Sequence, residues 1–301
     1  MDGLLLVDKS AGPTSHDVVE AVRRAFRLER AGHAGTLDPA ATGLLLVLTG
    51  RATRTAEYFE GMDKEYDVTV RLGVRTPTDD LASPPAETRP VPPLDATALE
   101  PALARHRGPI LHRPPDYAAL KMGGRRLYDL AREGRPVEPA PRPVTVYALE
   151  LLSWASPDLG LRVRCSSGTY VRALARDLGA ALGCGGAAAA IRRTAVGPFR
   201  ADGAVPLGAL RDRPLAEMLV PLDRALGHLP RVELRPEAVE KIRQGKAVGP
   251  DDLAAAVPTG LADGAPCRLC AGDALVAVGT SVSAPEGGAG GPLFRPRKVF
   301  V

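Results

Sequence analysis

The spacing of apolar residues along the chain predicts short strands and a few amphipathic helices. Every second residue from Tyr66 to Leu72 is apolar, and the residues between them are polar. A period of two is typical of a strand with one buried face, so we expect Tyr66 to point into the core at the start of a strand. Further strands are predicted at 4–7, 44–48, 144–152 and 161–165.

Apolar residues three or four positions apart predict helices in three segments. Thr14 and Asp17 have the spacing of a capping box before a helix with the apolar stripe Val18, Val22 and Phe26. Two more helices are predicted at 95–107 and 169–182. Segments 30–43 and 76–93 are rich in turn-forming residues, so we expect irregular structure in the first and a mobile loop in the second.

The pattern changes after residue 226, where we place a domain boundary near Gly227 and His228. The domains are then residues 1–228 and 229–301. In the second we expect a strand and short helix within 230–248, a strand at 275–280, a loop at 281–292 and a closing edge strand at 298–301.

Composition places the chain among ordinary globular proteins. It has 301 residues, 45% apolar and 25% charged, which is enough to bury a core without disulfides or a structural metal. Its apolar runs are far shorter than the ~20 residues of a membrane span. The start of the chain does not resemble a signal peptide, and four cysteines do not suggest a disulfide framework. These features predict a cytoplasmic α/β or α+β protein.

The net charge of +4 is unevenly distributed. Between Arg113 and Arg200 there are fourteen Lys and Arg against seven Asp and Glu. A basic region of this kind favours a nucleic-acid partner and could supply phosphate contacts, although the arginine excess is also typical of a GC-rich genome.

The segment 32–43 holds the most unusual cluster of residues. Three glycines and one proline favour a fixed loop, and Asp38 lies directly before Pro39. A residue before proline is held extended, so the carboxylate of Asp38 projects from a stiff backbone. An Asx-turn or a helix cap would be the purely structural explanation.

Segment 31–43 closely resembles the signature loop of the TruB family of tRNA pseudouridine synthases. Other blocks resemble that family in the same order along the chain, and five ordered blocks are much more specific than one. They are 7–15, 64–80, 114–132, 165–179 and 191–199.

The resemblance implies an α+β protein. It would have a pseudouridine synthase fold, with a mixed, mainly antiparallel sheet and flanking helices, followed by a small β-rich PUA-like RNA-binding domain. The implied activity is isomerisation of the T-loop uridine at tRNA position 55 to pseudouridine. The implied partner is the T-arm of tRNA, with no obligate protein partner and a monomeric state. No cofactor and no metal are implied, and Cys267 and Cys270 form a lone pair without the second pair that zinc sites need.

The resemblance also implies roles for individual residues. Asp38 would be the nucleophile, Arg172 its cationic partner, and Tyr66 the residue that stacks on the base and transfers a proton. The substrate-binding residues would be His33, Tyr170, Lys9, Lys121 and Arg125. A hydrogen-bonded loop residue without a role in turnover is the alternative for His33.

The sequence departs from the family at Ser167, His112 and Ala118, where a basic residue, glutamine and serine are usual. None of these is a reacting group, so the departures concern only RNA affinity. The resemblance leaves three alternative functions to compare. They are a guide-RNA-dependent relative in a multi-protein particle, a tRNA-binding or tRNA-folding protein without essential catalysis, and a hydrolase with an aspartate nucleophile.

Overall fold

A computed structural model describes residues 1–117, 121–122, 125–126, 139–282 and 293–301. The α-helices are α1 (Ser15–Phe26), α2 (Glu57–Glu60), α3 (Ala96–Ala104), α4 (Val171–Ala181), α5 (Leu215–Met218), α6 (Leu222–Ala225) and α7 (Ala238–Arg243). The strands are β1 (Gly3–Lys9), β2 (Ala31–Ala34), β3 (Thr42–Thr49), β4 (Lys64–Leu72), β5 (Val74–Arg75), β6 (Glu87–Thr88), β7 (Gly108–His112), β8 (Lys121–Met122), β9 (Arg125–Arg126), β10 (Arg142–Ala155), β11 (Asp158–Cys165), β12 (Gly186–Val196), β13 (Phe199–Arg200), β14 (Val205–Pro206), β15 (Leu219–Pro221), β16 (Arg231–Glu233), β17 (Pro266–Ala271), β18 (Ala274–Val282) and β19 (Leu293–Val299).

An eleven-stranded sheet forms the centre of the larger domain. Its main path runs β14-β1-β3-β12-β4-β11-β10-β7, and β2, β13 and β15 pair with β3, β12 and β1. Among the described strand pairs of this sheet, only β1–β14 and β3–β12 are parallel. The predicted α+β fold with a mixed, mainly antiparallel sheet is therefore confirmed.

Helices α1, α3 and α4 pack on one face of this sheet and enclose the main core. The inward face of β4 starts with Tyr66, as its alternation predicts, and continues through buried Val68, Val70 and Leu72. Helix α1 begins after Thr14, whose side chain and that of Asp17 form the predicted capping box.

A separate four-stranded sheet, β16-β17-β18-β19, forms the C-terminal domain with α7 packed on it. Strand β19 lies at its edge, as predicted for the end of the chain. The predicted loop at 281–292 lies, from residue 283 on, outside the described residues. No helix in the described part of the chain is long and apolar enough to cross a membrane.

Two predictions about loops are wrong for part of their segments. Segment 30–43 contains β2, which pairs with β3 in register from Ala31 to Ala34. The start of segment 76–93 is held firmly, because Thr76, Asp79 and Asp80 are buried and the amide of Ala188 donates to the carbonyl of Asp79 at 2.9 Å. Among its polar side chains, that of Asp79 binds Arg176 of α4, and those of Thr76 and Asp80 form hydrogen bonds within the segment.

Candidate active site

A cavity of about 420 Å³ opens where the β2–β3 loop, the starts of β4 and α4, and the middle of β12 meet. Its size is typical of sites that hold a small ligand or a single nucleotide. The polar side chains that line it are those of His33, Thr36, Asp38, Glu60, Lys64, Tyr66, Arg142, Thr169, Tyr170, Arg172 and Arg193.

Two buried cations hold the β2–β3 loop from below. The ammonium of Lys9 donates to the carbonyls of Ser10, Pro39 and Ala41 at 2.9, 3.0 and 2.6 Å. The guanidinium of Arg193 donates to carbonyls on the same loop and on β3, namely those of Gly35, Thr36 and Leu44. These charge-assisted hydrogen bonds would have to break for the loop to move, which costs free energy. The loop therefore holds Asp38 in one position.

Gly43 makes this close support possible. Its φ is +98°, and a Cβ placed there would lie 2.3 Å from the carbonyl oxygen of Arg193. The parallel pairing of β3 with β12 at Arg193 and Gly43 therefore requires glycine.

Asp38 and Arg172 form a bidentate ion pair at the mouth of the cavity. Nε of Arg172 donates to Oδ2 of Asp38 at 2.8 Å, and Nη2 donates to Oδ1 at 3.2 Å. Arg172 lies in the first turn of α4 and is buried, whereas the carboxylate of Asp38 is 39% exposed. The helix N-terminus adds positive potential at the same place. The pair thus leaves an oriented carboxylate that a ligand can still reach.

Tyr66 lies beside Arg193, its register partner on β12. Burial raises the pKa of Tyr66 to about 12, and the positive charge of Arg193 opposes that shift. Its phenol is therefore protonated at neutral pH and can donate a hydrogen bond or a proton into the cavity.

Tyr170 forms one wall of the cavity and is held between two side chains. Its ring stacks on His112 with a centroid distance of 6.4 Å, and the guanidinium carbon of Arg142 lies 5.3 Å from the ring centroid. The backbone amide of Tyr170 donates to Nε2 of His112 at 3.1 Å. Burial lowers the pKa of His112 to about 4, which keeps this nitrogen free to accept.

The other predicted substrate-binding residues are placed as follows. His33 lines the cavity, and its buried Nδ1 has no hydrogen-bond partner among the described residues. Lys9 is fully buried with its ammonium on three carbonyls, which argues for support of the loop and against direct contact with RNA. Lys121 and Arg125 lie in β8 and β9, and their side chains fall outside the described part of the structure.

The structure brings three further residues to the site that were not among the predicted site residues. Arg193 supports the β2–β3 loop through hydrogen bonds to its carbonyls. Asp80 approaches Arg172 with Oδ2 3.7 Å from Nε. Lys64 lines the cavity, and its ammonium donates to the carbonyls of Glu60 and Met62. For Lys64 and Arg193 the available signal was a basic residue on the inward face of a strand, because such a charge must have partners inside the protein.

The basic stretch from 113 to 200 contributes less free positive charge than its composition suggests. Within the described residues several of its arginines pair with carboxylates, as in the pairs of Arg162 with Asp67 and Arg192 with Asp8. The guanidinium of Arg193 donates hydrogen bonds to backbone carbonyls inside the protein and is therefore not available to phosphates. The expectation that the whole stretch offers phosphate contacts therefore needs correction.

No cluster of three or more His, Cys, Asp or Glu side chains that could hold a metal occurs in the described ranges. Cys267 and Cys270 are buried in the C-terminal sheet. Burial raises the pKa of each thiol to about 12, so both are protonated at neutral pH in this structure.

The protein has a pseudouridine synthase fold. It is similar to a chain of a Cbf5-Nop10-Gar1 complex, with a TM-score of 0.78 and 28% identity over 99% of this chain and 85% of that one. It is similar, at a TM-score of 0.78 and 26% identity, to a chain of an H/ACA RNP bound to a substrate RNA containing 2′-deoxyuridine. The match covers 99% of this chain and 85% of that one.

Sequence comparisons place the chain more closely. Residues 23–171 match the model of the TruB family pseudouridylate synthase N-terminal domain, and residues 172–227 match that of the tRNA pseudouridylate synthase B C-terminal domain. The chain is 46% identical over 249 residues to tRNA pseudouridine synthase B of Chromohalobacter salexigens, covering 82% of this chain and 81% of the relative. It is 44% identical over 256 residues to the protein of that name from Corynebacterium aurimucosum, covering 83% and 86%. The chain therefore belongs to the TruB family of pseudouridylate synthases.

Proposed function

We propose that this protein converts the T-loop uridine at position 55 of tRNA to pseudouridine, with Asp38 as the nucleophile. The observation that carries the proposal is the partly exposed Asp38 carboxylate, which buried Arg172 orients in a cavity also lined by Tyr66. The names of the related proteins support tRNA as the substrate.

The reaction is an isomerisation, so it needs no oxidant and no second substrate. The bond between C1′ of the ribose and N1 of uracil breaks, the uracil turns, and a bond forms between C1′ and C5. C5 loses its hydrogen as a proton and N1 gains one, so atoms and electrons balance. Asp38 assists by attacking either C6 of the base or C1′ of the ribose, and the bidentate pair with Arg172 directs its carboxylate at the target.

Tyr66 and Tyr170 supply the environment of the base. The phenol of Tyr66 holds its proton at neutral pH, because burial raises its pKa to about 12. It lines the cavity, where it is proposed to take part in proton transfer, and its ring can stack on uracil. Tyr170 forms a cavity wall fixed by His112 and Arg142. A uridine must leave its stack to reach this cavity, at a cost of a few kcal/mol.

The protein would bind the T-arm of tRNA as a monomer in the cytoplasm, without a cofactor or an obligate protein partner. His33, Lys121 and Arg125 are proposed to contact the RNA. His33 is placed for such a contact because it lines the cavity.

Substitution of Asp38 by Asn tests the proposal. The amide keeps the size of the side chain but is a poor nucleophile, so turnover should be abolished and tRNA binding should persist. Release of tritium from C5-labelled uridine measures turnover, and mapping of pseudouridine in the product identifies the position. Asp67→Asn is the matched control, because Asp67 pairs with Arg162 on β11, outside the cavity lining.

Full activity of Asp38→Asn would remove Asp38 from its role. A wild-type protein that binds tRNA and forms no pseudouridine would favour the alternative, a tRNA-binding or tRNA-folding protein. A product at another position would overturn the T-loop assignment alone.

A further inference from the structure

Helix α4 carries two arginines one turn apart, and both bridge the same two segments of the chain. Arg172 donates to the carbonyls of Thr78 and Tyr117 at 2.7 and 3.0 Å, in addition to its pair with Asp38. Arg176 donates to Oδ2 of Asp79 at 2.7 Å and to the carbonyl of Arg113 at 2.9 Å. The two guanidinium groups thus act in parallel on segments 76–80 and 113–117.

We propose that Arg176 and Asp79 are positioning residues for the reaction, which hold segment 76–80 so that it fixes the guanidinium of Arg172 on Asp38. The inference rests on the proposed function, because it assigns a role in the same site. Neither residue lines the cavity, so both act through Arg172.

The backbone of segment 76–80 connects the two arginines directly. Thr78, whose carbonyl binds Arg172, immediately precedes Asp79, whose carboxylate binds Arg176. Asp79 has a φ of +59°, in the left-handed region that aspartate tolerates better than most residues. A shift of Asp79 away from Arg176 would therefore move the carbonyl of Thr78 away from Arg172.

Segment 76–80 is also tied on its other side. The amide of Ala188 on β12 donates to the carbonyl of Asp79 at 2.9 Å. Within the segment the hydroxyl of Thr76 donates to the carbonyl of Asp80 at 2.7 Å. The loop is therefore rigid in itself, and its contact with Arg176 sets where it lies relative to α4.

The Asp79–Arg176 pair contributes by fixing the positions of its groups and not by increasing the stability of the fold. Burial raises the pKa of Asp79 to about 6, although Arg176 and Arg172 oppose that shift. The ionised pair therefore costs free energy at neutral pH compared with an exposed carboxylate. A pair that does not improve stability can still fix the position of the groups it joins.

The experiment measures single-turnover pseudouridine formation at saturating tRNA, together with tRNA affinity and thermal unfolding. Misplacement of a reacting group by about 1 Å can cost ~10²-fold in rate, so Arg176→Gln and Asp79→Asn should each slow the saturated rate by about tenfold or more. The dissociation constant for tRNA should stay within about threefold of wild type, because neither side chain lines the cavity. Arg162→Gln, which breaks the Arg162–Asp67 pair outside the cavity lining, is the matched control and should keep the wild-type rate.

The double variant Asp79→Asn/Arg176→Gln shows whether the two residues act on the rate through the same loop or independently of each other. If both residues act through the same loop, it should be no slower than the worse single variant. Arg176→Lys keeps the charge and the fold but cannot bridge Asp79 and the carbonyl of Arg113 together, so it should restore only part of the rate.

A normal saturated rate for Arg176→Gln with a lowered melting temperature would overturn the proposal, because the pair would then be only structural. A double variant whose loss equals the product of the two single losses would overturn it as well. Failure of the proposed function is distinct from both, since the wild-type protein itself would then form no pseudouridine.

Discussion

Tyr66 combines two properties that a single substitution can separate. Tyr66→Phe keeps the ring and removes the hydroxyl, which burial holds protonated with a pKa of about 12. Loss of an acid–base group costs a factor of ~10² or more, so turnover should fall to that extent while tRNA binding persists. Single-turnover rates at saturating tRNA measure the effect.

Tyr147→Phe provides the control for this substitution. Tyr147 is exposed, and its hydroxyl donates to Asp63, so removal of the hydroxyl should leave turnover unchanged. If Tyr66→Phe is as active as wild type and Tyr66→Leu is inactive, Tyr66 is a stacking surface and takes no part in proton transfer.

Also at the residue scale, the sequence predicted where Tyr66 points but not what surrounds it. The alternation from Tyr66 to Leu72 is a local signal and gives the buried face of β4 correctly. The partnership of Tyr66 with Arg193 is set by the register between β4 and β12, which are far apart in sequence. Such a register depends on how the whole sheet assembles, so it cannot be predicted from the local pattern of a single sequence.

At the scale of elements, β12 shows why apolar periodicity missed a central strand. It contains a run of alanines followed by Arg192 and Arg193, so it lacks the usual apolar alternation. It is a strand because β3 and β4 flank it and because its small residues allow α4 to pack closely. A Cβ on Gly179 of α4 would lie 2.1 Å from the amide nitrogen of Gly186. Tertiary packing therefore decides this element.

His112 links the end of β7 to the start of α4 and should respond to pH in a defined direction. Burial lowers its pKa from 6.5 to about 4. Between these values the unfolded chain binds the proton and the native protein does not, so stability increases as pH rises through this window. As pH falls from 6.5 toward 4, His112 should cost the native state on the order of 3 kcal/mol.

His112→Gln tests this prediction, because its amide oxygen can still accept from the amide of Tyr170. As pH falls from 7 to 5, the melting temperature of the wild type should fall by more than that of the variant. The same difference at both pH values would show that His112 does not titrate in this window. His112→Leu, which lacks an acceptor, should in addition weaken the stack with Tyr170 and slow turnover.

At the scale of the whole molecule, the two sheets are joined by one apolar cluster. Leu46 and Leu48 of β3 and Phe59 of α2 belong to the same buried cluster as Val278 and Phe300 of the C-terminal part. Residue-level patterns predicted a change of character after residue 226, but contacts of this kind arise only when both sheets are formed. The larger domain therefore depends on the C-terminal part to cover some of its apolar surface.

Phe300 offers the most direct test of this coupling. It is 7% exposed, and the guanidinium of Arg54 lies 5.9 Å from its ring centroid. Replacing a buried Phe by Ala costs 3–5 kcal/mol, so Phe300→Ala should lower the free energy of unfolding by about 3 kcal/mol. The small sheet should then unfold at a lower temperature than the large one and split the calorimetric transition in two.

Leu293→Ala on the same strand β19 is the control, because Leu293 is 38% exposed and its loss should change stability by about 0.5 kcal/mol or less. A single unshifted transition for Phe300→Ala would show that the two sheets are stable without this contact.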